Sequence, residues 1–252
     1  PQLIFCAFDE SLKTGFRHRL CPNYKANREL PDPALAFQLN ACRQVCRVLG
    51  VSEMASNDYE ADDLIASMAT KVRASGLQPV VLSRDKDLMQ IIKEGDLYWD
   101  FGKSEAKSQT QLEEKLGFRC DQMADYLALV GDMSDSIKGV SGIGAKTASQ
   151  LLAQFSSIDD MLSNAIHLST LPIRGAVKIG AKIVESVEQL RLSRQLASIV
   201  EDVESVPSCD EIAWLGVHSD GFALFCEEMG FADTFNYRSS LLKQRSLNDI
   251  RQ

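Results

Sequence analysis

The chain has 252 residues, 45% hydrophobic and 25% charged, enough to bury one large core or two small ones. Its net charge of −8 excludes a uniformly basic nucleic-acid coat, yet eight carboxylates gathered at four places equal that whole excess, so local basic segments can still hold phosphate. Seven cysteines with no Cys-x-x-Cys pair argue against a disulfide scaffold and fit a reduced, cytoplasmic compartment, and no signal peptide or membrane-spanning apolar run is found.

In chain order, the apolar run Leu3–Phe8 predicts a strand over residues 2–8, closed by Asp9. Residues 11–33 follow as a long basic loop carrying Lys13, Arg17, His18, Arg19, Lys25 and Arg28, with Phe16 and Tyr24 interleaved. Loops of that length in compact domains are usually functional or mobile. The spacing of Ala34, Leu35, Phe37, Leu39, Val45, Val48 and Leu49 predicts a helix over 34–48. Cys42 and Cys46 lie one turn apart on it, but no second pair or nearby histidine completes a metal site, and core packing explains them better. A short strand at 51–54 leads to a helix over 60–74, with Asn57 or Asp58 as its cap. Residues 79–83 read as a buried strand, followed by a short helix through Leu88–Ile92 and a strand near 97–101. This alternation predicts an α/β core with a mostly parallel sheet over residues 1–108. Beyond it, helical periods at 110–117, 121–130, 145–155, 158–164, 176–190 and 218–229 predict a helical subdomain over 109–252. The three histidines (18, 167 and 218) are scattered and suggest no catalytic triad.

Ligands of parallel sheets gather at the carboxyl ends of the strands. Asp9 and Asp85 both directly follow strands, and Glu60 follows a strand and its loop. Glu60, Asp62 and Asp63 then crowd one helix start, where one acid is routine for the macrodipole but three repel. Asp85 and Asp87 flank Lys86 in a turn that could equally be a helix cap. Asp132 and Asp135, at i,i+3, share a helical face or belong to a solvated turn. If the four groups converge, carboxylates ~4 Å apart repel by roughly 4 kcal/mol at an effective dielectric near 20, and the pocket requires divalent cations. Oxygen-only donors suit Mg²⁺ or Mn²⁺. A pair of such ions is the usual apparatus for phosphodiester hydrolysis.

Residues 139–147, Gly-Val-Ser-Gly-Ile-Gly-Ala-Lys-Thr, imitate a Walker loop, but Ala145 separates Gly144 from Lys146 and no strand precedes, so no nucleotide cofactor is expected. What remains is a tight hairpin between two helices, either an ordinary turn or a cradle whose amides and following helix N-terminus hold a backbone phosphate.

These stretches occur together in a characteristic order: Phe8-Asp9, Phe16-Arg17-His18, Tyr24-Lys25-Ala26-Asn27-Arg28, residues 59–63 (Tyr-Glu-Ala-Asp-Asp), residues 83–88 (Ser-Arg-Asp-Lys-Asp-Leu), and residues 128–135 (Ala-Leu-Val-Gly-Asp-Met-Ser-Asp) before the glycine hairpin. The chain thereby resembles, over nearly its whole length, the bacterial and phage 5′-nucleases: the 5′–3′ exonuclease domain of DNA polymerase I and its stand-alone flap endonuclease relatives. The resemblance implies a PIN-like α/β core, a helix-hairpin-helix DNA-binding element at about 128–155 and two-metal cleavage of DNA with 5′ ends or flaps, by a protein expected to be monomeric. By the same resemblance Asp9, Glu60 and Asp62 serve a first Mg²⁺ or Mn²⁺, and Asp85 lies at or between the two ions. Asp63, Asp87, Asp132 and Asp135 serve the second. Lys25 and Arg28 are gateway residues steering the scissile phosphate, and Arg17 lies in the same DNA-facing loop. Main-chain carbonyls of Leu129, Val130, Lys138, Val140 and Ile143 bind K⁺. Gly142, Ile143, Gly144, Ala145, Lys146 and Thr147 touch the DNA backbone.

One departure stands out. The family begins with a strand carrying another catalytic aspartate, and no equivalent acid precedes Asp9 here. The expectation is a longer native protein, or one that binds flapped DNA and cuts it poorly. A non-catalytic structure-specific DNA-binding module and a small-molecule phosphatase are the rival readings.

Overall fold

A computed structural model describes residues 2–10, 13–103 and 105–231. The first two positions of the expected basic loop and the last stretch of the expected helical subdomain, 232–252, lie outside the described residues.

The first strand, β1 (Phe5–Asp9), pairs in parallel with β2 (Ser52–Ser56), so that Asp9 stands opposite Ser56 at the carboxyl end. Between them run α1 (Phe16–Leu20) and α2 (Pro33–Val48). The expected 11–33 loop therefore contains a helix, too short to show any periodicity. α2 starts at a proline and is capped by Asp32, whose carboxylate accepts the Leu35 amide at 2.8 Å.

After β2 comes α3 (Ala61–Ala74), capped by Glu60 and not by Asn57 or Asp58 as expected. The Glu60 amide donates to Asp63 Oδ2 at 3.0 Å, which closes the helix start. The third strand, β3 (Val80–Leu82), is parallel to β4 (Leu97–Trp99) across a short 3₁₀ helix at Lys86–Ile91, and β5 (Lys107–Ser108) adds an antiparallel edge. The expected sheet is thus present in two pieces, one of two strands and one of three.

The two pieces share α3. Ala66 and Ala69 pack with Val81, Leu88, Ile91 and Tyr98 on the β3–β4 side. Leu64 and Met68 pack with partly buried Phe5, Ala7 and Met54 on the β1–β2 side. Spacings of three and four residues on one helix thereby serve two small cores.

The rest is helical: α4 (Gln109–Leu116), α5 (Met123–Val130), α6 (Ala145–Leu152), α7 (Ile158–Ser163), α8 (Ala165–Leu168), α9 (Ala176–Glu185), α10 (Val187–Ala197) and α11 (Ser219–Glu228). The expected single helix over 176–190 is broken at Ser186, which leaves helical geometry at φ −100° and ψ 14°. Leu127, Leu129, Ile143, Leu151, Ile158, Met161 and Leu190 belong to a third, larger core.

After α10 the chain returns to the α/β part. Val203, Val206 and Ile212 join Leu64 and Met68, the Ile4 amide donates to Ile212 O at 3.1 Å, and Trp214 Nε1 donates to Leu49 O at 2.7 Å. A division of the chain into consecutive halves misses this return, because the segment carries no periodicity of its own.

Candidate active site

Asp9 and Asp85 end or follow parallel strands, while Glu60 and Asp62 stand at the start of α3. Asp9 Oδ1 accepts the Ala61 amide at 2.8 Å, which ties the end of β1 to that helix start. Asp85 caps the 3₁₀ helix, its Oδ1 accepting the Asp87 amide at 3.0 Å, and so does what the capping alternative required while standing among the other acids. Asp132 and Asp135 lie not on a helical face but in a turn closed by the Asp132–Ile137 bridge. Gly131 opens that turn at φ +85°.

Electrostatics join these groups into one field. Burial, followed by the charges of Asp85, Asp9 and Glu60, pushes the Asp62 carboxyl up to about 7. Burial and then Asp85, aided by Asp132 and Asp135 against Lys86, likewise push Asp87 up to about 7. Asp85 is thus the acid felt by both sets. Asp87 Oδ1 is buried without a hydrogen-bond partner. Asp132 behaves differently: burial opposes its ionisation, but the hydroxyl and amide of Ser134, at 2.6 and 2.8 Å, hold it below the ordinary carboxylate range.

Cations stand among these acids. Lys25 Nζ lies 2.7 Å from Glu60 Oε1 and 3.8 Å from Asp135 Oδ2, and Arg28 Nη2 is 2.5 Å from Asp135 Oδ1. Lys86 Nζ is 3.7 Å from Asp132. Lys25 holds a left-handed backbone at φ +50°, fixed by its amide donating to Asp135 O at 3.0 Å. Such strain is uncommon in a residue with a side chain and clusters at functional positions. Beside the acids, Asp9, Glu60, Lys25, Arg28, His18 and Leu30 are among the residues lining a cavity of about 140 Å³. Among the described residues no three His, Cys, Asp or Glu side chains form a ready-made metal cage, and Lys25, Arg28 and Lys86 partner Glu60, Asp135 and Asp132. The donor chemistry nevertheless fits hard divalent cations, because every candidate donor is an oxygen and two carboxyls are pushed up to about 7 by burial and then by their neighbours' charge.

Two expected site residues are buried behind the cleft and not exposed in it. Arg17 is 3% exposed and Asp63 fully buried. Arg17 Nη1 and Nη2 donate to Asp63 at 2.6 and 2.8 Å, and Arg17 Nε and Nη2 also reach the carbonyls of Leu196 and Ser198. Asp63 further accepts the amides of Glu60 and Val200. Arg17 is therefore shut away from solvent, and both Asp63 oxygens already accept two donors each; the pair locks α1 and α3 to the end of α10. Conversely, Tyr24 was not singled out from the sequence. It is 2% exposed, and its hydroxyl donates to Glu60 Oε2 at 3.1 Å and lies 3.4 Å from Asp135 Oδ2, so that it bridges the two acid groups. A tyrosine just before a lysine in a basic loop carries no signal of that role.

The glycine hairpin lies between α5 and α6, with Gly144 at the N-cap of α6. Its base is tight: a Cβ on Gly139 would lie 2.3 Å from the Val130 carbonyl carbon and oxygen. Lys182 of α9 braces the tip, its Nζ donating to Ser141 O at 2.6 Å. Of the five carbonyls expected to hold K⁺, that of Leu129 accepts the Val140 amide and that of Val140 accepts the Ile143 amide. The Lys138 carbonyl receives both Gln189 Nε2 and Ser193 Oγ and so has its acceptor capacity filled.

A family model for the 5′-3′ exonuclease N-terminal resolvase-like domain matches residues 1–117, and one for the 5′-3′ exonuclease C-terminal SAM fold matches 118–220. The chain belongs to the 5′-3′ exonuclease family. It is 32% identical over 200 residues to the 5′-3′ exonuclease of Buchnera aphidicola subsp. Acyrthosiphon pisum, covering 79% of this chain and 70% of that one. It is also 32% identical to DNA polymerase I of Bacillus caldotenax over 92% of this chain but only 26% of that protein. With the family comes the enzyme class, a metal-dependent nuclease. The fold matches T5 5′-exonuclease with bound zinc at a TM-score of 0.63 and 22% identity, covering 89% of this chain and 81% of that one. It also matches the Rad2 catalytic core in complex with DNA at 0.60 and 12% identity, covering 93% and 78%. Among the described residues no helix is long and apolar enough to cross a membrane.

Proposed function

We propose that the chain hydrolyses phosphodiester bonds of DNA at 5′ ends and 5′ flaps, with two divalent cations, Mg²⁺ or Mn²⁺, in the acidic cleft. The observation that carries this reading is the placement of Asp9 at the end of β1, its Oδ1 accepting the Ala61 amide beside Glu60 and Asp62, together with Asp85 after β3, whose charge adds to burial in raising both Asp62 and Asp87. Asp9, Glu60 and Asp62 would hold one ion and Asp87, Asp132 and Asp135 the other, with Asp85 common to both. Bound cations supply neutralisation of the acids and Lewis acidity at the scissile phosphate.

The protein's own contribution is orientation and charge. Lys25 and Arg28, paired with Glu60 and Asp135, are the loop cations a scissile phosphate would recruit if those carboxylates held divalent cations. Each then stabilises charge developing on the phosphoryl oxygens. The Lys25 side chain is largely buried and paired with Glu60, so its ammonium is held inside the cleft.

The helix-hairpin-helix element, residues 139–147 between α5 and α6, would grip duplex backbone through the amides of Gly142 to Thr147 and the charge of Lys146, without reading sequence. K⁺ would sit at the carbonyls of Leu129, Val130, Val140 and Ile143, with Lys138 joining only if Gln189 and Ser193 release it. Arrangement as a monomer in the cytoplasm completes the reading; seven free cysteines agree with a reducing setting.

The test is cleavage of a 5′-flap duplex, a nicked duplex and a phosphomonoester, with and without Mg²⁺. Flap cleavage that requires the metal and disappears in Asp85→Asn is expected. Binding of flapped DNA with no cleavage in Mg²⁺ or Mn²⁺ overturns the catalytic reading.

A further inference from the structure

At the same end of the sheet as Asp85, the chain presents a pair of aromatic rings that the reaction as described does not use. Trp99 ends β4 opposite Leu82 of β3, and its carbonyl accepts the Ser83 amide at 3.1 Å. The neighbouring Tyr98 hydroxyl donates to Asp85 O at 3.0 Å. The residues that follow Trp99 therefore emerge beside the turn that carries Asp85 and Asp87.

The first aromatic residue to emerge is Phe101, 74% exposed, with its ring centroid 5.5 Å from that of Trp99 and tilted 53° to it. A single exposed apolar residue needs no explanation. This one is braced. The turn beneath it is closed by the Lys103 amide donating to Asp100 O at 2.7 Å and the Gly102 amide donating to Asp100 Oδ1 at 3.2 Å. Trp99 Nε1 donates to Lys103 O at 3.3 Å, and the Lys103 ammonium pairs with Asp100. The ring is held out into solvent by a structured turn, so little conformational entropy remains to be lost when something covers it.

Its surroundings are basic. Arg84, 88% exposed in its side chain, lies 3.9 Å from Asp100, and the side chains of Lys86 and Lys103 are 60% and 64% exposed. Two of these cations, Arg84 and Lys103, share the single carboxylate of Asp100, while Lys86 reaches Asp132 of the adjoining acidic cleft. An exposed aromatic face among flexible cations is the chemistry that binds single-stranded nucleic acid: rings take the bases, cations take the backbone.

We propose that Phe101, backed by Trp99, is a stacking platform for an unpaired nucleobase of the flap next to the scissile phosphate, with Arg84 and Lys103 holding the adjoining phosphates. The proposal rests on the nuclease reading of the cleft and adds to it a base-dependent but sequence-tolerant preference for unpaired DNA.

The experiment measures equilibrium binding of two 5′-flap duplexes of equal length, with Ca²⁺ in place of Mg²⁺. One carries natural bases in the flap and the other abasic residues throughout. Phe101→Ala should bind the natural flap about tenfold more weakly than wild type and the abasic flap equally well, while Phe101→Trp keeps wild-type affinity for both. Matching melting temperatures for wild type and variants establish that the turn has not perturbed the fold. Equal binding of the natural flap by wild type and Phe101→Ala overturns the stacking, as does an equal loss on both flaps. A wild type that cuts flaps in Mg²⁺ yet shows either of those results leaves the nuclease reading standing and removes only the platform. A wild type that neither binds nor cuts any flap overturns both.

Discussion

Arg17 and Asp63 meet through two hydrogen bonds, 2.6 and 2.8 Å long, at the buried back of the cleft. Burial works against the Arg17 charge, but the adjacent carboxylate outweighs it and holds the guanidinium above its ordinary range. Removing one partner strands the other as an uncompensated buried charge, at a cost of about 3–5 kcal/mol. Asp63→Ala and Arg17→Ala should each lower the melting temperature by roughly 10 °C. Arg17→Lys should recover little, since an ammonium cannot make the fork or reach both carbonyls. A thermal scan checks this, and a change of only a degree or two would return Asp63 to the list of cleft acids.

Asp85 is the counterpart in the open part of the cleft. Asp85→Asn removes a charge that Asp62 and Asp87 both feel. Cleavage should fall by roughly a thousand-fold, several kcal/mol of lost metal-dependent stabilisation. Affinity for flapped DNA should be kept or improved, because a negative charge facing phosphate has gone. Single-turnover cleavage and equilibrium binding on the same substrate separate the two effects. Loss of binding together with cleavage would make Asp85 a structural residue.

Much of this site was legible in the sequence because strand ends and helix starts place side chains locally. Asp9, Glu60 and Asp85 follow from an apolar run and the residue after it. The order of motifs supplied the rest of the acid set and the hairpin. What stayed hidden depends on contacts made far along the chain. On paper Asp62 and Asp63 are equivalent neighbours, and only the arrival of Leu196, Ser198 and Val200 at Arg17 and Asp63 turns one of them inward. Tyr24 was hidden likewise, since its role requires Glu60 and Asp135 to lie within reach of one hydroxyl. The break at Ser186 and the return of Val203, Val206 and Ile212 to the core under β1 and β2 also leave no mark on periodicity.

The cleft should make stability depend on pH in an unusual direction. Asp62 and Asp87 sit near 7 in the folded, cation-free protein against an ordinary 3.8, so the folded state holds protons that the unfolded state releases. Their contribution is complete below about pH 4 and is lost as pH rises through about 7. In EDTA the melting temperature should therefore fall between pH 5 and 8. Mg²⁺ should restore it at the upper end, where both carboxylates are free to take the ion. Asp62→Asn or Asp87→Asn should flatten the profile in EDTA. Identical profiles for the wild type and both variants would mean that the acids do not share one field.

The hairpin can be tested without touching the cleft. Gly139 and Val130 approach so closely that a Cβ at 139 would overlap the Val130 carbonyl at 2.3 Å, and backbone, unlike a flexible side-chain tip, cannot step aside cheaply. Gly139→Ala should open the base of the hairpin and weaken duplex binding about tenfold or more, while Mg²⁺ still raises the melting temperature because the acids are untouched. Lys146→Ala should act more gently, removing one phosphate contact and lowering the slope of log affinity against log salt by about one. Its effect should be the same on any sequence, since only backbone is contacted. Replacing K⁺ by Na⁺ at constant ionic strength then isolates the cation: weaker binding in Na⁺ for wild type, with no further loss in Gly139→Ala, is the result expected if the carbonyls at the hairpin hold K⁺. Equal affinity in the two salts would leave the amides and Lys146 as the whole of the grip and remove potassium from the site.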